Sequence, residues 1–166
     1  MSSATLMKVA IATGLAAVLA TGSPAFAVTA TTDFNVQINI TPECTISATD
    51  LDFGSVGLIA ANVDATSTIT VECTTGTAYT LSLDLGDGAG ATIAARKLTG
   101  AGGTLDYNLY QDAARTQVWG LAAPAETVEG TGTGVSQALT VFGRVPPQPT
   151  PGTGIYSDTI QAVVTY

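Results

Sequence analysis

The chain has 166 residues, of which 46% are hydrophobic and 11% charged, with thirteen Asp and Glu against five Lys and Arg and no histidine. This formal net charge of −8 repels phosphate backbones and excludes nucleic acid as a partner. Without histidine there is no usual general base, no imidazole metal ligand and no His-containing triad, so the composition points away from an enzyme.

Residues 1–27 have the layout of a secretory signal peptide. Lys8 supplies the positive charge, an Ala- and Leu-rich apolar run covers residues 9–20, and Ala25-Phe26-Ala27 is a small-x-small cleavage site. The run is too short to span a bilayer comfortably and no second one follows it. The expected mature chain starts at Val28 and is long enough for one domain with a core of its own. Without Lys8 it carries four basic residues (Arg96, Lys97, Arg115 and Arg144) and a net charge of −9. The acidic groups read as a solvated face.

The mature chain opens on Asp33-Phe34-Asn35-Val36-Gln37-Ile38-Asn39-Ile40, with apolar residues at every even position and polar ones at every odd position. Strict period-two alternation predicts a β-strand with one dry face and one wet face. The even row runs back through Thr32, Ala30 and Val28. A strand of this kind must lay its dry face into something, and a second copy of the protein is the occupant this sequence suggests.

Pro42, which has no N–H for a ladder, ends that run, and Cys44-Thr45-Ile46 restarts it. Short strands are then expected at residues 51–56 and 65–73, the second with Ile69, Val71 and Cys73 facing inward. After Gly76, Tyr79, Leu81, Leu83 and Leu85 share one face of the next strand, and residues 86–90 form a flexible loop. Further strands are predicted at residues 105–110, 115–119, 137–145 and 156–166, divided by Gly- and Pro-rich connections. No segment after the signal peptide repeats at 3.6 residues, no linker marks a second domain, and the chain stops on its final strand. Short strands punctuated by Gly and Pro predict an all-β, antiparallel sandwich.

Cys44 and Cys73 both lie in the mature part, 29 residues apart. Exported chains with an even cysteine count usually pair them, and the loop length suggests roughly 3–4 kcal/mol of stabilisation. Two reduced, buried thiols are the alternative. Lys97, the sole mature lysine, has no serine motif beside it and reads as a surface residue. Asp84-Leu85-Gly86-Asp87-Gly88 is a poor calcium loop, because Ala95 stands where the twelfth-position oxygen ligand should be. The sequon Asn39-Ile40-Thr41 lies inside a strand pattern and precedes Pro42, which makes it a chance match. Trp119 is expected to anchor the core. No cofactor or metal is called for.

Several marks occur in order along the mature chain: Cys44 followed by Phe53-Gly54, Val71-Glu72-Cys73, Gly76-Thr77-Ala78-Tyr79, and Leu105-Asp106-Tyr107-Asn108-Leu109-Tyr110. Trp119-Gly120, Phe142-Gly143-Arg144-Val145-Pro146 and Gly154-Ile155-Tyr156-Ser157-Asp158-Thr159 complete them. Together they resemble the spore coat protein U domains, which include subunits of archaic, Csu-type chaperone–usher pili of Gram-negative bacteria. That resemblance implies an incomplete immunoglobulin-like β-sandwich, its last strand missing, completed by donor-strand exchange. It implies residues 28–40 as the donor strand, with Val28, Ala30, Thr32, Phe34, Val36 and Ile38 inserting into a neighbour, and residues 41–166 as the pilin domain. The implied partners are other copies in a homopolymer, a periplasmic chaperone, an outer-membrane usher and tip or minor subunits. The implied destination is the cell surface, for adhesion and biofilm formation. A secreted monomeric sandwich that binds carbohydrate or protein, and a non-pilus coat protein, are the other readings of the same sequence.

Overall fold

Alternation decides which side of each strand faces inward, and a computed structural model, describing residues 26–122 and 124–166, shows how those sides meet. Residues 1–25 of the expected signal peptide lie outside the described part. The chain separates between Ile38 and Asn39, and the sandwich is built from Asn39–Tyr166. Its strands are β1 Cys44–Ala48, β2 Val63–Cys73, β3 Ala78–Leu83, β4 Arg96–Gly100, β5 Gly103–Tyr110, β6 Val128–Thr131, β7 Gln137–Val145, β8 Tyr156–Ser157 and β9 Ala162–Thr165.

One sheet has six strands in the order β1-β2-β7-β5-β4-β8, and the other has three in the order β6-β3-β9. Every ladder is antiparallel. The longest pairing joins β2 to β7 in register from Val63 opposite Val145 to Val71 opposite Gln137. The core lies between the sheets. Ile69, Val71 and Cys73 of β2 meet Tyr79, Leu81 and Leu83 of β3, and Leu105, Tyr107 and Leu109 of β5 join Val141 and Val145 of β7. Trp119 is 1% exposed among them and donates its indole N–H to the Leu81 carbonyl at 3.1 Å, so its polar edge is satisfied where its rings are buried.

Four expected strands take a different course. Residues 33–40 show alternation but form no strand, for a ladder needs a partner backbone. Residues 51–56 run without a ladder because Gly54 sits at φ 74° and takes the Asp52 carboxylate as acceptor for its amide. Leu51 and Phe53 still pack against the core, Phe53 edge-on to Tyr107 with ring centroids 6.2 Å apart. Residues 115–119 are reduced to one bridge, Val118 to Tyr110. Arg115 adopts φ 56°, a left-handed conformation that a strand cannot contain, and the Asp112 carboxylate accepts the amides of Thr116 and Gln117 at 2.9 and 2.8 Å. The last strand is broken in two. Tyr156 and Ser157 pair with β4 of the large sheet, whereas Ala162–Thr165 pairs with β3 of the small one, so the chain changes sheets through residues 158–161.

Candidate assembly groove

Four strands, β1, β6, β8 and β9, have one ladder each and stand at sheet edges; two of them, β1 bonded to β2 and β9 bonded to β3, flank the candidate site. These two belong to different sheets, and a groove of about 340 Å³ opens between them. Its floor is core residues seen from the side: Ile69, Leu83, Leu98, Tyr107, Leu109 and Val141. Leu51, Phe53, Ile160 and Ala162 form the flanks, and the polar groups Thr49, Asp50, Asp158 and Thr159 stand at the rim. An apolar trough beside two unpaired edges offers backbone donors and acceptors along its length and a dry floor beneath, the surface that natural sheets otherwise cover.

Each wall is held in place by a different chemistry. β1 is joined to β2 by the Cys44–Cys73 disulfide at one end and by the bond from the Thr49 amide to the Thr68 carbonyl, 2.9 Å, at the other. The expected pairing of the two cysteines is thus present. On the opposite wall, the Asp84 amide donates to the Gln161 carbonyl at 3.1 Å and the Asp84 carboxylate accepts the Gln161 amide at 3.0 Å, seating the start of β9 against the end of β3. Asp158 braces the rim: its carboxylate accepts from the Tyr107 hydroxyl at 2.7 Å, the Asp87 amide at 2.8 Å and the Thr159 amide at 2.9 Å. Burial, reinforced by the hydrogen bond to Asp158, pushes the Tyr107 phenol far above its ordinary pKa. A charge at that position would lie on the groove floor.

Beneath the floor is Arg96, fully buried. From β4 in the large sheet it reaches the small sheet, donating through Nε and Nη2 to the Asp84 carbonyl at 2.8 and 2.6 Å. Nη2 also bonds the carbonyls of Trp119 at 2.7 Å and Leu83 at 3.3 Å, and Nη1 bonds Asn108 Oδ1 at 2.7 Å. Desolvation lowers its pKa, an effect opposed by Tyr107, Asp84, Asp158 and Glu126. This residue therefore ties the two sheets together under the groove and closes off the carbonyls where the β3 ladder ends. Its role was not legible from the sequence, since nothing in Ala95-Arg96-Lys97-Leu98 separates a buried arginine from a surface one. Lys97 next to it does face the surface side and pairs with Asp106, its cross-strand neighbour on β5.

The expected donor residues are placed as follows. Val28, Ala30, Thr32, Phe34, Val36 and Ile38 are all exposed, Phe34, Val36 and Ile38 by 83, 85 and 82%. Away from the groove, Arg144 on β7 makes a two-pronged pair with Asp64 on β2, at 2.7 and 2.8 Å, and this holds the Asp64 carboxyl below its usual pKa. Among the described residues no cluster of His, Cys, Asp and Glu is arranged to hold a metal ion.

The antiparallel two-sheet arrangement, with an apolar trough between two edge strands, puts the chain in the class of all-β sandwich proteins. Within it, the chain belongs to the Spore Coat Protein U domain family, whose family model matches residues 30–163. It is 33% identical to Protein U of Myxococcus xanthus over 178 aligned residues, covering 95% of this chain and 99% of that protein. In fold it is similar to a chain of the crystal structure of the CsuC–CsuE chaperone–tip adhesion subunit pre-assembly complex from archaic chaperone–usher Csu pili of Acinetobacter baumannii. The TM-score is 0.58 at 21% identity, over 76% of this chain and 40% of that one.

Proposed function

We propose that the protein is a structural subunit of an archaic chaperone–usher surface pilus, polymerising by insertion of residues 28–40 of one copy into the groove of the next. The observation that carries this reading is the match between two halves of one chain. The groove presents two unpaired strand edges over an apolar floor, and residues 28–40 present an alternating strand pattern with its apolar members exposed. Strand addition joins such halves: the ladder supplies backbone bonds and the alternate side chains enter the groove. Phe34, Val36 and Ile38 are the main anchors, with Val28, Ala30 and Thr32 extending the same row. A slip of one residue would bury Asn35 and Gln37 instead, so the register is well specified.

Before assembly, a periplasmic chaperone covers the groove, and an outer-membrane usher passes the subunits to the cell surface, where the fibre serves adhesion and biofilm formation with tip or minor subunits at its end. The structure of a chaperone–subunit complex of such a pilus supports this reading at the level of fold. Co-expression with the cognate chaperone, size-exclusion chromatography and electron microscopy test it. The expected result is a soluble chaperone complex, polymers once the chaperone is lost, and filaments on the cell. A chain that stays monomeric and soluble without a chaperone overturns it. A non-pilus coat protein is the second reading, favoured by the end-to-end likeness to Protein U, and a continuous layer in place of discrete filaments would establish it.

A further inference from the structure

The three residues that join residues 28–40 to β1 have little freedom to turn. Pro42 fixes its own φ and has no N–H, and Thr41, preceding a proline, is confined to extended conformations. The backbone groups on either side are occupied by one side chain. The Thr74 hydroxyl accepts the Glu43 amide at 3.2 Å and donates to the Thr41 carbonyl at 3.2 Å. The Thr74 amide in turn donates to the Glu43 carbonyl at 2.9 Å. The next pair along, Cys44 and Cys73, is joined covalently.

Thr74 is itself held. It opens the turn by which the chain passes from the large sheet to the small one, closed by the bond from the Thr77 amide to its carbonyl at 3.0 Å. The segment before β7 straps that turn down: Gly76 N donates to Gly132 O at 2.9 Å, Gly132 N to Thr77 O at 2.7 Å and Gly134 N to Cys73 O at 3.0 Å. A Cβ on Gly132 would collide with the Thr74 carbonyl and the Cys73 side chain, so the strap lies this close because the residue is glycine. Load arriving at residue 41 therefore passes to β2 and to both sheets, bypassing the five-residue edge strand β1.

We infer that Thr74 is a positioning residue for assembly: it clasps residues 41–43 so that the domain follows its inserted segment at a set angle, and the fibre is stiff at every joint. This rests on the assembly reading above. The test compares Thr74→Val, which keeps the shape and removes the hydroxyl, with Thr74→Ser, which keeps it. Persistence length of purified fibres is measured from electron micrographs, and amide exchange is followed in the peptide spanning residues 41–46. The expected result for Thr74→Val is unchanged subunit yield, melting lowered by only a few degrees, exchange at Glu43 faster by about tenfold, as loss of one hydrogen bond implies, and a persistence length at least halved. Thr74→Ser should restore both. Wild-type stiffness in Thr74→Val fibres, or unchanged exchange, overturns the inference and leaves the assembly reading standing. A wild-type chain that makes no fibres overturns the assembly reading itself, and the role of Thr74 with it.

Discussion

Replacing Arg96 by Met tests whether the groove depends on the polar tie beneath it. Methionine fills most of the space of the arginine stem, so the substitution chiefly removes the guanidinium and its bonds. Three main-chain carbonyls, those of Leu83, Asp84 and Trp119, lose their donor, while Asn108 Oδ1 keeps the Leu109 amide at 2.9 Å. A buried acceptor left unsatisfied costs about 1–3 kcal/mol. Removing the buried charge returns part of this, because its desolvation penalty disappears with it. The net expectation is a loss of about 3–5 kcal/mol. In urea, with a slope of about 1–3 kcal/mol/M, the unfolding midpoint should fall by more than 1 M at pH 7. Arg96→Lys should fall between the two, since an ammonium is a single point of donation and cannot span Trp119 and Asn108 together. A loss below about 1 kcal/mol for Arg96→Met would refute the reasoning: the carbonyls would then have found other partners and the tie would be dispensable.

Val36→Arg should stop polymerisation while leaving chaperone binding intact, because an exposed side chain would have to carry a charge into an apolar groove at a cost of several kcal/mol; Asn35→Ala, on the wet face, should be silent. Fibre yield and chaperone co-purification decide the matter, and normal fibres from Val36→Arg would contradict strand insertion. Cys73→Ser removes the bridge that pins β1, the groove wall, and should lower the periplasmic level of the subunit, with about 2–5 kcal/mol of stability lost; non-reducing mass spectrometry that finds two free thiols in the exported wild type would cancel the expectation. Tyr107 sets an alkaline limit. Its folded pKa is raised by burial and by Asp158, so its contribution is complete below pH ~10, where the unfolded phenol is also protonated, and is lost as pH rises further and the unfolded chain alone releases the proton. Urea midpoints at pH 8 and pH 11 should therefore diverge more in the wild type than in Tyr107→Phe, and equal slopes would show that the phenol ionises in place.

Much of the sandwich is local in origin and legible in the chain. The inward row Ile69, Val71 and Cys73 and the facing row Tyr79, Leu81 and Leu83 are buried as their alternation requires, since successive side chains of a strand point to opposite sides whatever the partner. Trp119 reached the core for the same kind of reason: no other residue offers as much apolar area. Two strands without an alternating apolar row in the sequence, Arg96–Gly100 and Val128–Thr131, were invisible because their ladders are held by neighbours and not by their own pattern. The groove was invisible for a stronger reason. It exists because residues 158–161 carry the chain from one sheet to the other, leaving β9 and β1 as edges on opposite sides of one core. Which residues line it depends on pairings between strands far apart in the chain, such as Val63 with Val145 and Thr80 with Thr165. The burial of Arg96 belongs to the same category: a charged side chain enters a core when carbonyls from several distant segments converge on it, and that convergence is a property of tertiary structure. Residues 28–40 are the converse, a strand pattern written in the sequence for which the folded chain supplies no ladder, because hydrogen bonds between strands require a second backbone.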